Sequence, residues 1–196
     1  MNINDMYEQL SFAEKLQLAM RPEVQRVKIN STIHLDGYVC EKKYEYAVQG
    51  KSGEYYVYLW KHMYGEVFYV GMGHGNRMTC KRRSHEFATH LDKGDVVVYR
   101  VLANVDQQTA REYERYITAS FVQAGVKLVN RDNNPEKMSA ENKKTCTDRE
   151  SLQNAEWAKA VEDAVFKILL DSNFTARDII AVQRFLSEYG DHYFSR

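Results

Sequence analysis

The stretch EYYVYLWKHMYGEVFYVGMGHGNR, residues 54–77, brings phenols, glycines and a guanidinium close together in one chain. Tyr56 and Tyr58 are two positions apart, which on a strand sends both side chains to one face and Val57 to the other. A phenol ordinarily titrates near ~10, so a tyrosine serves as a base at neutral pH only where cations lower that value. Cations follow directly: between Gly71 and His85 lie Arg77, Lys81, Arg82 and Arg83, with no acidic residue among them. An arginine such as Arg77 is always charged and can hold a phosphate through paired hydrogen bonds. If the segment is helical, Arg77, Lys81 and His85 share a face at i, i+4 and i+8. His85 and His74 add rings that titrate near neutrality. Further along, Ala110, Glu114, Ile117 and Phe121 fall on one helical stripe, with Glu112 opposite. A carboxylate on an apolar stripe is costly unless a cation or hydrogen bonds offset the burial, and Arg111 and Arg115 are local candidates for that partner.

These groups need elements to position them. The run YYVYLW is a strand, MYGE a turn and VFYVG a second strand, giving a β-hairpin in which cross-strand aromatic pairs would also be stabilising by themselves. Residues 76–91 contain no helix breaker and read as helical, and DVVVYRVL at 95–102 is a strand. Asp106 is a good N-cap for a helix running to about Gln123, Gly125 a good stop, and VKLVN at 126–130 a last short strand. Ahead of this block, Met6, Leu10, Ala13, Leu16 and Met20 have helical spacing, and VQRVKI, STIHL and GYVCEKKYEYAV alternate as strands do. After it, RDNNPEKMSAENKKTC is polar and linker-like. Trp157, Val161, Ala164, Val165 and Ile168 form one amphipathic helix, and Ile179, Val182, Phe185 and Leu186 a second, opened by Thr175 with Asp178. The expected organisation is therefore α+β: a helix-and-strand extension over 1–50, a central domain over 51–131, a linker over 132–147 and an αα-hairpin over 148–196.

The whole chain narrows the classes of function. It has 196 residues, 44% of them hydrophobic and 28% charged, with no apolar run near the ~18 residues of a membrane span. No basic-then-apolar leader opens it, so a cytoplasmic protein is expected. Cys40, Cys80 and Cys146 are far apart and suggest neither a disulfide framework nor a zinc site. Basic and acidic side chains balance at 27 each, which argues against holding a polyanion by bulk charge. The last fifty residues carry six basic against nine acidic groups, so any polyanion is expected to meet the middle of the chain.

Taken together, Tyr56-Val57-Tyr58, Tyr69-Val70-Gly71 and Arg77 eight residues after Tyr69 resemble the signature of the GIY-YIG nuclease family. The GxGxGNR form is similar to the LEM-domain-nuclease branch and its phage and bacterial relatives. Ala110, Glu114, Ile117 and Asn130 match the family's later positions, and the resemblance spans about residues 54–131. It implies a three-stranded antiparallel sheet flanked by helices. It also implies a metal-dependent endonuclease that hydrolyses phosphodiester bonds of DNA, double-stranded by expectation. On that pattern Tyr58 activates the water, Tyr69 orients water or phosphate, and Arg77 clamps the phosphate, with Arg77 and Lys81 lowering the phenol's pKa. Glu114 is the protein ligand of a single Mg²⁺ or Mn²⁺, and Tyr56, His74, His85 and Asn130 are auxiliary candidates. A hard cation that keeps several waters tolerates one carboxylate ligand.

Two positions depart from the family. Met72 stands where a lysine often follows the YIG glycine, and Lys81 stands where many members carry His or Tyr. A catalytically impaired DNA-binding or regulatory protein on the same scaffold is therefore the alternative. GMGHG also resembles a dinucleotide loop, but its spacing is G-x-G-x-G and no acidic residue ends a following strand. The αα-hairpin is expected to pack on the core or on a second copy, which would make a homodimer.

Overall fold

The computed structural model describes residues 9–20, 40–42, 46–62, 66–93, 96–130, 149, 152 and 156–170. They form a mixed sheet with helices on both faces, an α+β arrangement. The elements are α1 (Phe12–Ala19), β1 (Cys40–Lys42), β2 (Val48–Gln49), β3 (Tyr55–His62), β4 (Val67–Gly73), a 3₁₀ turn (Arg77–Thr79), α2 (His85–Asp92), β5 (Val96–Val105), α3 (Gln107–Gln123) and α4 (Glu156–Leu170). β3 is central, antiparallel to β4 on one side and to β5 on the other. The sheet does not stop at these three strands, because β1 and β2 both pair with the far side of β5 and run parallel to it. The expected strands VQRVKI and STIHL, the linker and the second helix of the αα-hairpin lie outside the described residues.

β3 shows why this region reads as a nearly unbroken apolar run: both faces of the sheet are covered. Val57 and Leu59 join a core with α1, α3 and α4, while Tyr56, Tyr58 and Trp60 join an aromatic core under the 3₁₀ turn and α2. Strand alternation also sends Lys61 toward the helical side. It is 1% exposed, and its Nζ donates to the carbonyls of Ile168 (3.3 Å) and Leu169 (3.5 Å) at the end of α4. A cation at a helix C-terminus satisfies orphan carbonyls and complements the helix dipole. α4 thus belongs to the same apolar core as the sheet, through Ala158, Val161, Val165 and Ile168.

Local signals set the helix ends. Ser11 and Glu14 form a reciprocal capping box at α1, whose buried face is Phe12, Leu16 and Ala19; of the expected stripe Leu16 is buried, Leu10, Ala13 and Met20 are half-buried, and Met6 lies outside the described residues. Asp106 caps α3 by accepting from the Thr109 N–H at 2.9 Å and hydroxyl at 2.7 Å, which hold its carboxyl below the usual range. At the other end Gly125 N–H donates to Val122 O and Val126 N–H to Phe121 O, the paired bonds of a Schellman stop. The segment 126–130 is not a strand. It is tied to the edge of β4 by one backbone bond, Val129 N–H to Phe68 O at 2.8 Å, and by Asn130.

The segment after β4 departs most from expectation. Instead of one helix over 76–91, a single 3₁₀ turn ends at Cys80 in extended backbone, and Ser84 starts α2 afresh by accepting from the Phe87 N–H at 3.2 Å. Arg77, Lys81 and His85 therefore share no helical face.

Candidate active site

A cleft of about 440 Å³ opens at the β4 edge, between the loop that follows β4 and the first half of α3. Tyr69 and Met72 of β4, Arg77, Arg82 and Arg83 of the loop, Arg111, Glu114 and Arg115 of α3, and Val129 and Asn130 line it. Five arginines against one glutamate give this lining a formal charge of +4 in a chain whose net charge is zero. Such a cleft attracts anions through focusing of the local field, which a whole-chain charge count does not reveal.

The glycines are there to let the phenols and Arg77 come close. Tyr58 faces Gly71 across the hairpin, and a Cβ at Gly71 would lie 2.7 Å from the Tyr69 ring and 2.8 Å from the Tyr58 hydroxyl. A Cβ at Gly73 would meet the Arg77 stem at 2.4 Å, so only glycine lets Arg77 fold back against β4. Gly75, at φ +54°, makes the turn between them. Tyr56 latches this loop. Its hydroxyl donates to Gly75 O at 2.7 Å and accepts from Met78 N–H at 3.0 Å, and the Arg100 guanidinium lies 3.8 Å above its ring.

The two remaining phenols are stacked in depth. Tyr58 is fully buried and accepts from Arg83 Nη2 at 2.7 Å, and its ring centre lies 6.2 Å from that of Tyr69, which lines the cleft. Cations do not lower the Tyr58 pKa here. Burial dominates and raises it well above the ordinary phenol value, against smaller lowering effects of Arg83 and Arg77. Tyr69 is raised as well, first by burial and then by the negative charge of Glu114, with Arg83 and Arg77 opposing. Both hydroxyls therefore keep their protons at neutral pH.

Glu114 reaches the cleft from the predicted stripe, with Ala110, Ile117 and Phe121 buried beside it and its own exposure only 9%. Asn130 is 3% exposed and occupied structurally: its Oδ1 accepts from Val70 N–H at 3.1 Å and its Nδ2 donates to Val70 O at 2.6 Å, closing the β4 edge. The guanidinium of Arg77 has no hydrogen-bond or ion-pair partner among the described residues. Lys81 and His85 are exposed and outside the lining, and His74 lies against Tyr55 and 3.8 Å from Glu54.

The structure thus brings Tyr69, Arg77 and Glu114 together over Tyr58, uses Tyr56 and Asn130 to hold backbone, and leaves Lys81, His85 and His74 aside. Arg83, Arg82, Arg111 and Arg115 are the lining groups that motif reasoning passes over. Their signals are the acid-free run after Gly71 and the arginines flanking Glu114. A divalent cation would find one carboxylate in this lining, because the Asn130 amide is already used on both atoms and the described residues hold no cluster of three metal-ligating side chains. That donor set fits a hard cation that keeps most of its waters and takes phosphate oxygens from a substrate.

No protein-family model, curated protein or solved structure matches the chain. No helix among the described residues is long and apolar enough to cross a membrane.

Proposed function

We propose that the chain is a metal-dependent endonuclease of the GIY-YIG type, hydrolysing phosphodiester bonds of DNA in this cleft. One observation carries the reading: Tyr69 and Arg77, from a strand and the loop after it, and Glu114, from a helix some forty residues later, line a single cationic cleft. The β4-β3-β5 antiparallel unit would be the three-stranded nuclease sheet, with β1 and β2 as additions on the β5 side.

Arg77, without a partner among the described residues, holds the scissile phosphate, and Arg82 and Arg111 neutralise charge beside it. Tyr69 presents a protonated phenol that orients the attacking water or a phosphate oxygen, and the buried ring of Tyr58 packs behind it. Glu114 is the residue that would hold Mg²⁺ or Mn²⁺, which when bound supplies charge stabilisation for the leaving oxygen. The low exposure of Glu114 limits the screening of its own charge by bulk water.

The test is nicking of supercoiled plasmid. The protein is expected to nick with Mg²⁺ or Mn²⁺ and to stop when the metal is chelated. Glu114→Ala and Arg77→Ala should each lose about 100-fold or more of the rate. Cleavage that survives both substitutions overturns the assignment. The position of Met72 in the lining favours one competing reading, a DNA-binding protein without activity. Salt-dependent DNA binding with no cleavage under either metal would select it.

A further inference from the structure

Two arginines stand next to each other after the 3₁₀ turn and do opposite things. Arg82 is exposed on the cleft wall, whereas Arg83 turns inward. Its Nε donates to Cys80 O at 3.0 Å, and its Nη2 donates to Arg77 O at 3.1 Å and to the Tyr58 hydroxyl at 2.7 Å. The guanidinium carbon lies 4.4 Å from the Tyr69 ring centre, 4.9 Å from that of Phe87 and 5.5 Å from that of Tyr58. No carboxylate among the described residues pairs with it, and its Nη1 is buried without a hydrogen-bond partner. An uncompensated cation in such a place is unfavourable unless ring faces and carbonyl dipoles take over the work of water.

Those three acceptors explain why this cation must be an arginine. The two carbonyls belong to the first residue of the 3₁₀ turn and to the residue that ends it, so the fork grips the turn that carries Arg77 at both ends. The remaining bond reaches Tyr58, whose ring packs against Tyr69, and the same guanidinium lies over the Tyr69 ring. A lysine places one point charge on a flexible stem and cannot serve three divergent acceptors while stacking between rings.

We propose that Arg83 is a positioning residue of this site, locking the Arg77 turn and the Tyr58–Tyr69 pair at one fixed separation so that a single phosphate meets both Arg77 and Tyr69. The inference rests on the phosphodiesterase reading for its catalytic consequence, but the lock itself is a property of the free protein. As the cation that acts most strongly on both phenols, Arg83 also restrains their pKa rise, so its loss makes them still harder to ionise.

Two measurements on Arg83→Lys and Arg83→Gln test it. In the free protein, hydrogen exchange at the Thr79 and Cys80 amides, which donate to Asn76 O and Arg77 O, should quicken at least about 10-fold while β3 and β5 keep their protection. In the nicking assay both variants should lose about 10- to 100-fold in kcat with KM for DNA within about 3-fold, since misplacement costs rate rather than contact. Tyr58→Phe removes the same bond from the other side and leaves the ring. The double variant Arg83→Lys with Tyr58→Phe should fall no further than the worse single one.

Unchanged exchange with kcat within about 3-fold of wild type overturns the proposal, as do additive losses in the double variant. Exchange that quickens throughout β3 and β5, in step with a lower Tm, assigns Arg83 a purely structural role and overturns it too. If the unmodified protein does not cut DNA, the nuclease reading falls. The exchange measurement then decides the lock by itself.

Discussion

Under α1, α3 and α4 the sheet presents Val57, Leu59, Val97 and Val101, whereas its other face presents Tyr56, Tyr58, Trp60 and Phe68 to the 3₁₀ turn and α2. Each face packs a cation from or near β3, Lys61 buried and Arg83 half-buried, and each involves a phenol with a raised pKa. On the helical side Lys61 caps the end of α4, and Tyr116 donates to the Glu162 carboxylate at 2.6 Å. On the aromatic side Arg83 and Tyr58 bind one another, and their chain of contacts ends in the cleft through Tyr69. The same kinds of residue thus join elements on one face and aim side chains on the other. What separates the two is the route to solvent: Lys61 is 1% exposed and donates to helix carbonyls, while Arg83 touches residues that line an opening.

The sharpest way to break this contrast is Gly71→Ala. The added methyl collides with both phenols, so a loss of about 1–3 kcal/mol in stability and at least about 10-fold in nicking rate is expected. Denaturant unfolding beside the plasmid assay measures both. A Gly71→Ala protein that cuts like wild type would show that the crowding of Tyr58 and Tyr69 does not matter. Next in size, Lys61→Met keeps the volume but strands two carbonyls, for a loss of about 1–3 kcal/mol. Its nicking rate should stay at the wild-type level wherever both proteins are folded, and a fall in rate would join the two faces into one functional unit.

The smallest effect is on alkaline stability. Burial, then the bond to Glu162, holds the Tyr116 pKa above its ordinary value, so the folded chain keeps a proton that the unfolded chain releases. Stability is therefore complete below the ordinary phenol range and falls as pH rises beyond it, by up to about 1.4 kcal/mol per pH unit for each such phenol. Tyr116→Phe should remove one phenol's share of that slope, read from unfolding curves between neutral pH and about pH 11. An unchanged slope would mean that Tyr116 is not held in this way.

Much of the scaffold was legible because its signals are local. The Asp106 cap, the Gly125 stop and the Ala110-Glu114-Ile117-Phe121 stripe depend on neighbours within a few residues, and they appear where periodicity puts them. The hairpin and β5 were legible for the same reason. Less legible was the segment 76–91. Freedom from breakers allows a helix but does not require one, and the bonds from Tyr56 and Arg83 to the loop, with Ser84 starting a new helix, favour a 3₁₀ turn and a break. That break separates Lys81 and His85 from Arg77. The parallel addition of β1 and β2 was not legible either, since pairing across some fifty residues leaves no local trace.

By itself the sequence determined which residue types were available and which helix stripe carried Glu114, because side-chain direction within an element follows its fixed backbone period. Only the tertiary structure decided that Arg83 faces inward while Arg82 faces out, that Tyr58 lies beneath Tyr69, and that Asn130 closes a strand edge. Those outcomes turn on which donors and rings arrive from elsewhere in the chain, and burial then determines whether a charge or a phenol is held, shielded or left open to a ligand.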